Sequence, residues 1–478
     1  EHAQKGSIAM TEINDAPDAV IEREDVLDED NRLTDEFVRS VSEAVENNNS
    51  ALAQELVNPL HNADIADLFE LIDADERAPL ADALGDLVSA DVLAEMNEHV
   101  REDVIEALDA GQIAGLTEQL DTDDAVAIIE DLEKGEQQAV LAELDAEDRA
   151  AIESALTYEE ETAGRIMQRE FVAVPEHMMV GDLIDYLRKN DDLTTEFWEI
   201  YVVDPAFRPI GTCQLSWILR TPRDIAIADV MKREQSLIPV NMDQEEVALR
   251  FQKYNLISAA VINDDGRLIG MITVDDILHI VEDEASEDVL LLSGAGDGDI
   301  NEPIRDSYKA RVRWLITNLA TALVASFVIS IFGAAIEQMV ALAILMPIVA
   351  SIGGNAGTQT MAVSVRALAM NELTRSNTRR IIGREFRIAL LNGGTIAILV
   401  GLGTGLVFAN PVLGGVIGIA MLINIVIAGF AGIFVPVMLD RLDQDPALAS
   451  SVFVTMITDT MGFLAFLGLA VGSGMVSL

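Results

Sequence analysis

Asp459 lies in the middle of SSVFVTMITDTMGFLAFLGLA, an apolar run with no Lys, Arg or His to pair with. A carboxylate at hydrocarbon depth costs a few kcal/mol or more, so it normally faces a cavity, a partner or a pathway. Hydroxyls at Thr455, Thr458 and Thr460 add polarity beside it. A second polar cluster, SIGGNAGTQT (Ser351–Thr360), interrupts another apolar run. Gly353 and Gly354 permit close backbone approach or a helix break, and Asn355, Thr358, Gln359 and Thr360 bring oxygens to a depth where unsatisfied polar groups are expensive. Carboxylate, amide, hydroxyl and carbonyl oxygens are hard ligands. Magnesium prefers them, keeps several of its waters and needs few direct contacts. Hydrated cobalt or manganese fits the same set. The absence of Cys and His from these runs disfavours zinc and copper.

These residues need a membrane to give them meaning. Five apolar stretches, about 314–335, 339–369, 388–409, 412–439 and 447–476, each exceed the ~20 residues a helix needs to cross a bilayer. Lys309, Arg311 and Arg313 precede the first, and Arg366, Arg375, Arg379, Arg380, Arg384 and Arg387 surround the second-to-third connection. The first-to-second and third-to-fourth connections carry no Lys or Arg. Positive loops stay in the cytosol, so the expected topology is N-terminal region inside, C-terminus outside.

Charge divides the chain in the same place. Residues 308–478 hold ten Lys and Arg against seven Asp and Glu, and residues 1–307 hold 21 against 74, a net charge of −53 in that part alone. Such a surface repels nucleic acid and anionic lipid and attracts cations. A single cysteine, Cys213, rules out an intramolecular disulfide framework. Residues 1–20 show no basic start leading into an apolar core, so no cleavable signal is expected.

Within the acidic part, residues 1–35 are expected to be a flexible acidic terminus. Residues 36–157 form a helical domain of loosely repeated amphipathic helices, read from segments such as ADIADLFELI and DDAVAIIEDL. From 158 to 283 the period shifts to β-branched strands, EIYVVD and SAAVIND, each followed by turn formers. A strand–turn–strand–helix unit recurs around 201–219 and 260–280 and resembles a pair of CBS domains. In the second copy Gly270-Met271-Ile272-Thr273 precedes Asp275 and Asp276. An Asp at this place reaches a ribose in nucleotide-binding CBS pairs, which makes Asp275 a candidate contact for ATP. The first copy has Ser216-Trp217 where acids would be expected. Residues 284–307 are the expected connecting, or plug, helix, and 308–478 the membrane domain. No nucleophile–base pair or phosphate loop argues for an enzyme.

The order of helical superhelix, α/β CBS pair, connecting helix and five α-helical spans resembles the MgtE magnesium channels. So do Pro347 with GGNAGTQ, KARVRWL entering the first span, and DPALASSVFVTMITDTMGFL. The resemblance covers about 36–478. It implies a multi-pass inner-membrane homodimer with cytosolic N-terminal domains and a pore lined by the second and fifth spans. Asp459 would hold hydrated magnesium on the axis, with the Thr455 backbone close by and Asp445 at the cytosolic mouth. Gly353, Gly354, Asn355, Thr358 and Gln359 would line the path. It further implies that cytosolic magnesium bound by Asp91, Asp123, Asp243, Glu245, Asp276, Glu284, Glu287 and Asp288 closes the pore. Asn255 and His279 stand where acids would be expected. The alternatives are transport of another divalent cation, cobalt or manganese, and a membrane-bound metal sensor that transports nothing.

Overall fold

The computed structural model describes residues 26–106, 108–190, 193, 197–293, 301–374, 376–442 and 444–477. It divides into two compact units, residues 1–247 with 256–274, and residues 248–255 with 275–478.

Among its described residues the first unit has ten α-helices from Asp35–Glu46 to Ala146–Ala155. They are short because the sequence punctuates them: Asn49, Ser89, Asn97, Asp109 and Asp145 each cap a new helix through a side-chain oxygen. Their apolar stripes share one core that includes Phe37, Phe69, Leu93, Ile129 and Ile152. Arginines tie successive turns of this superhelix together. Buried Arg77 reaches Asp103 at 2.6 Å and the Phe69 carbonyl at 3.1 Å. Arg101 repeats the arrangement on Asp131 at 2.5 Å. Residues 1–25 of the expected flexible terminus lie outside the described residues. Residues 26–34 differ from that expectation: Val26 and Leu33 are buried in the helical core, and Leu27 bridges Leu33, because the segment carries enough apolar side chains to dock.

Two three-stranded sheets follow. In the first, β1 (Ala173–Pro175) runs parallel to β2 (Glu199–Val203), which pairs antiparallel with β3 (Pro209–Gln214). In the second, β4 (Leu237–Pro239), β5 (Ser258–Ile262) and β6 (Leu268–Thr273) repeat the order and the pairing senses. Even the register shift recurs, between Val202 and Val203 in one copy and Val261 and Ile262 in the other. The sheets meet where the Tyr201 hydroxyl donates to Ser258 Oγ at 3.2 Å. Arg165 to Glu130 (2.9 Å) and Thr122 to Glu170 (2.7 Å) fasten the helical domain to this pair.

In the second unit a 20-residue helix, Val274–Ser293, starts directly after β6. It begins ten residues before the expected boundary at 284, because nothing between Asp275 and Asp283 breaks a helix and acids suit its first turn. The Gly-rich break at 294–299 lies outside the described residues. Five helices long and apolar enough to span a membrane follow: Ile304–Ile331, Ala341–Ala369, Thr378–Val407, Pro411–Asp440 and Pro446–Gly472. The first and third begin about ten residues before their apolar runs, since their basic flanks continue the helix. The fourth span is the most buried and the first the least, with Leu315, Leu319, Leu323 and Phe327 turned outward. The third and fourth spans touch backbone to backbone. A Cβ on Gly414 would lie 2.4 Å from the Gly401 carbonyl oxygen, which only glycine allows.

Candidate functional site

The fifth span starts at a helix cap. The Asp445 carboxylate accepts from the Ala447 backbone N–H at 2.7 Å, Pro446 occupies the first turn, and the negative charge suits the helix N-terminus. Ten residues on, Thr455 is exposed, and its carbonyl accepts from the Thr458 hydroxyl at 3.0 Å. Asp459, a further turn along, is half-buried. Among the described residues no ion pair involves it.

The second span runs unbroken through Gly353-Gly354 in spite of Pro347. Of the two roles open to the paired glycines, close approach is therefore the one used. Asn355 and Thr358 are exposed on one side of this helix, while Gly353 and Gly357 face inward. Gly353 departs from the expected pore lining: it is packed against Asn424 of the fourth span, where a Cβ would lie 2.1 Å from Nδ2. Gly354 is half-buried with open space at its Cα. Gln359 lies on a crevice of about 240 Å³ with Thr360, Glu385, Asn392, Ile425 and Gly429.

Glu385 on this crevice and Asn424 in the fourth span are two polar residues that the sequence pattern does not single out. Glu385 is buried within the third span and accepts from Arg384 at 2.6 Å. Asn424 is fully buried at the centre of the fourth span. The signal for both was present, a polar side chain inside an apolar run, but Glu385 was absorbed into the Arg-rich flank.

The expected sensor acids are distributed over several elements. Asp91 accepts from Asn62 Nδ2 at 3.1 Å, in the helical domain. Asp123 follows Thr122, whose amide and hydroxyl both donate to Glu170. Asp243 accepts from the Glu245 amide at 2.9 Å at the start of helix Gln244–Tyr254. That helix stops at Asn255, whose φ of 50° is left-handed, a conformation Asn adopts more easily than an acid of Glu's length. Asp275, Asp276, Glu284, Glu287 and Asp288 lie along helix Val274–Ser293, where burial holds the Asp283 carboxyl above its ordinary range in spite of His279 nearby. Among the described residues no three His, Cys, Asp or Glu converge to hold a metal.

One of these acids couples to the fifth span. Burial, and then the charge of Asp445, push the Asp288 carboxyl above the usual carboxylate range. The end of helix Val274–Ser293 thus lies at the start of the fifth span. Its Leu291 and Leu292 pack on Met361, Leu439 and Val454, from the second, fourth and fifth spans. At the other end of the spans, Gln338 Nε2 donates to the Ser477 carbonyl at 2.9 Å, joining the first-to-second connection to the C-terminal segment.

The MgtE divalent cation transporter family matches residues 346–469, the MgtE intracellular N domain 60–161 and the CBS domain 227–283. The chain is 33% identical over 315 residues to the magnesium transporter MgtE of Enterococcus faecalis, covering 66% of this chain and 70% of that one. It is likewise 33% identical over 319 residues to the magnesium transporter MgtE of Thermus thermophilus, with the same coverage. A solved structure of the cytosolic domain of the Mg2+ channel MgtE in complex with ATP aligns at 26% identity and a TM-score of 0.47, covering 51% of this chain and 99% of that one. With its helical N domain, its CBS pair and its five helices apolar enough to span a membrane, the chain belongs to the MgtE family.

Proposed function

We propose that this protein carries magnesium across the membrane through a pore built in a homodimer, and that cytosolic magnesium closes it. The observation that carries the reading is Asp459, a half-buried carboxylate in the fifth span with no ion pair among the described residues. Asn355 and Thr358 are exposed on the second span. Two protomers would place their Asp459 carboxylates around one hydrated ion, with water between carboxylate and metal. Asn355, Thr358 and the Thr455 carbonyl would replace bulk water along the way. Asp445, already fixed as a helix cap, would attract ions at the cytosolic mouth.

Closure follows from the charge of Asp445 that bears on Asp288. The two carboxylates repel, and a divalent cation between them removes the repulsion and favours the packed arrangement of Leu291 and Leu292 on the spans. A ligand with higher affinity for one arrangement shifts the population toward it. Glu284, Glu287 and Asp276 add charge on the same helix, and Asp91, Asp123, Asp243 and Glu245 extend the sensor to the other domains. ATP is the second ligand of this reading, with Asp275 as its ribose contact at the start of the helix after β6.

The test is flux against internal magnesium in proteoliposomes, for the wild type and for a variant carrying Asp276→Asn, Glu284→Gln, Glu287→Gln and Asp288→Asn. The variant should keep conducting at magnesium levels that close the wild type. Superimposed closing curves would place the gate elsewhere. Cobalt and manganese in the same vesicles measure the alternative cargo, and an absence of flux for all three would leave a sensor.

A further inference from the structure

The fourth span carries an amide that the ion path as drawn does not use. Asn424 is fully buried midway along the helix, and its Nδ2 donates to the Val349 carbonyl of the second span at 3.0 Å. Its Oδ1 is also buried and accepts no hydrogen bond among the described residues. An acceptor left unsatisfied at this depth is expensive, so a leucine would serve packing alone better.

The neighbours of the amide indicate a different purpose. A Cβ on Gly353 of the second span would lie 2.1 Å from Nδ2, and one on Gly462 of the fifth span 2.6 Å from the same atom. Both helices thus meet the carboxamide with bare backbone. Gly462 is one turn beyond Asp459, and Gly353 is two residues before Asn355. A single planar group therefore sits between the two helices that bear the proposed path, one turn beyond its carboxylate, next to the place where Gly357 of the second span meets Val454 and Thr458 of the fifth directly.

We propose that Asn424 is a positioning residue for transport. It sets the separation of the second and fifth spans one turn beyond Asp459, just past their direct contact at Gly357, and through the splay of the two helices the hydrated ion that fits. This rests on the reading of Asp459 as the path site. Magnesium is sensitive to such spacing because its octahedral water shell tolerates little distortion.

The test uses the full-length protein in proteoliposomes, with magnesium and cobalt influx normalised to monodisperse protein. Asn424→Ala removes the tie and the orphan acceptor together, so thermal stability should hold while the magnesium-to-cobalt ratio shifts by about threefold or more. Gly353→Ala should lower magnesium flux by about tenfold, and Asn424→Ala in the same chain should restore most of it by making room for the methyl. Asn424→Ser, which keeps a small polar group, should also shift the ratio and serves if the alanine variant assembles poorly. An unchanged ratio in both Asn424 variants, with an equal Gly353→Ala loss in either background, would overturn the proposal. Asp459→Ala run alongside separates the two readings: wild-type flux from it removes the path site, whereas lost flux with unchanged ratios removes the spacer alone.

Discussion

Asp459→Asn is the perturbation that most directly interrogates the ion path. Asparagine matches the aspartate in shape, so the Asn424–Gly462 contact one turn away keeps its geometry. What changes is one negative charge per protomer. A magnesium ion that keeps its inner waters would sit about 5 Å from the carboxylate, one coordinated water away. At that distance a divalent ion and a single charge attract by about 2 kcal/mol in a water-like medium and about 7 kcal/mol at the effective dielectric of a protein site. The lower figure alone is about a 30-fold loss of occupancy, and a dimer would lose two such charges. Thermal stability should stay level or rise, because a half-buried charge with no ion pair is removed. The assay is influx into vesicles loaded with a magnesium-sensitive dye, at external magnesium well below saturation. Flux within about threefold of wild type would refute the electrostatic argument, whatever else lines the path.

Three further outcomes are expected. In chelator, lowering the pH from about 7.5 to about 4.5 should slow proteolysis around Leu291 and Leu292: Asp288 binds its proton more tightly when packed, so packing is strongest below the ordinary carboxylate pKa and weakens as pH rises through the raised value. Asp288→Asn should flatten that dependence. Arg101→Ala should destabilise the helical domain by about 3 kcal/mol in a denaturant titration, since it strands Asp131 in a buried pair. With Cys213 replaced by Ser, Ser376→Cys should label only from the cytosolic side and Ser477→Cys only from outside. The reverse pattern would invert the topology.

Much of this architecture is legible in the amino acids because membrane spans depend on length and hydropathy, which need no tertiary knowledge. The helix ends are less so: Lys309 and Arg311 look like a flank, yet continue the first span as helix because a solvated turn costs nothing to extend. β1 and β4 escape notice because three residues cannot display an alternation. They exist through pairing with β2 and β5, a tertiary cause. Asp459 stands out as an isolated charge, whereas Asp445, among Asp440, Arg441 and Asp443, is marked only by the family resemblance. Glycine carries no chemistry of its own, so the role of Gly353 depends on which neighbour, here Asn424, comes to meet it. The coupling of Asp288 to Asp445 joins positions over 150 residues apart and cannot be inferred from local pattern.

The arginine ties between successive turns of the helical domain bear on how that domain comes apart. Bonds such as Arg77–Asp103 and Arg101–Asp131 span 26 and 30 residues, so each joins a turn to the next and to nothing more distant. Stability in such an array is a sum of neighbour terms. Melting can start at the turn around Asp35 and travel like an opening zipper, turn by turn, toward the Glu130–Arg165 and Thr122–Glu170 clasps. Amide exchange should then be graded along the domain, fastest at the far turn, with a step at Arg101 when that residue is removed. A domain built this way can loosen at its tip while the turns against the CBS pair stay closed.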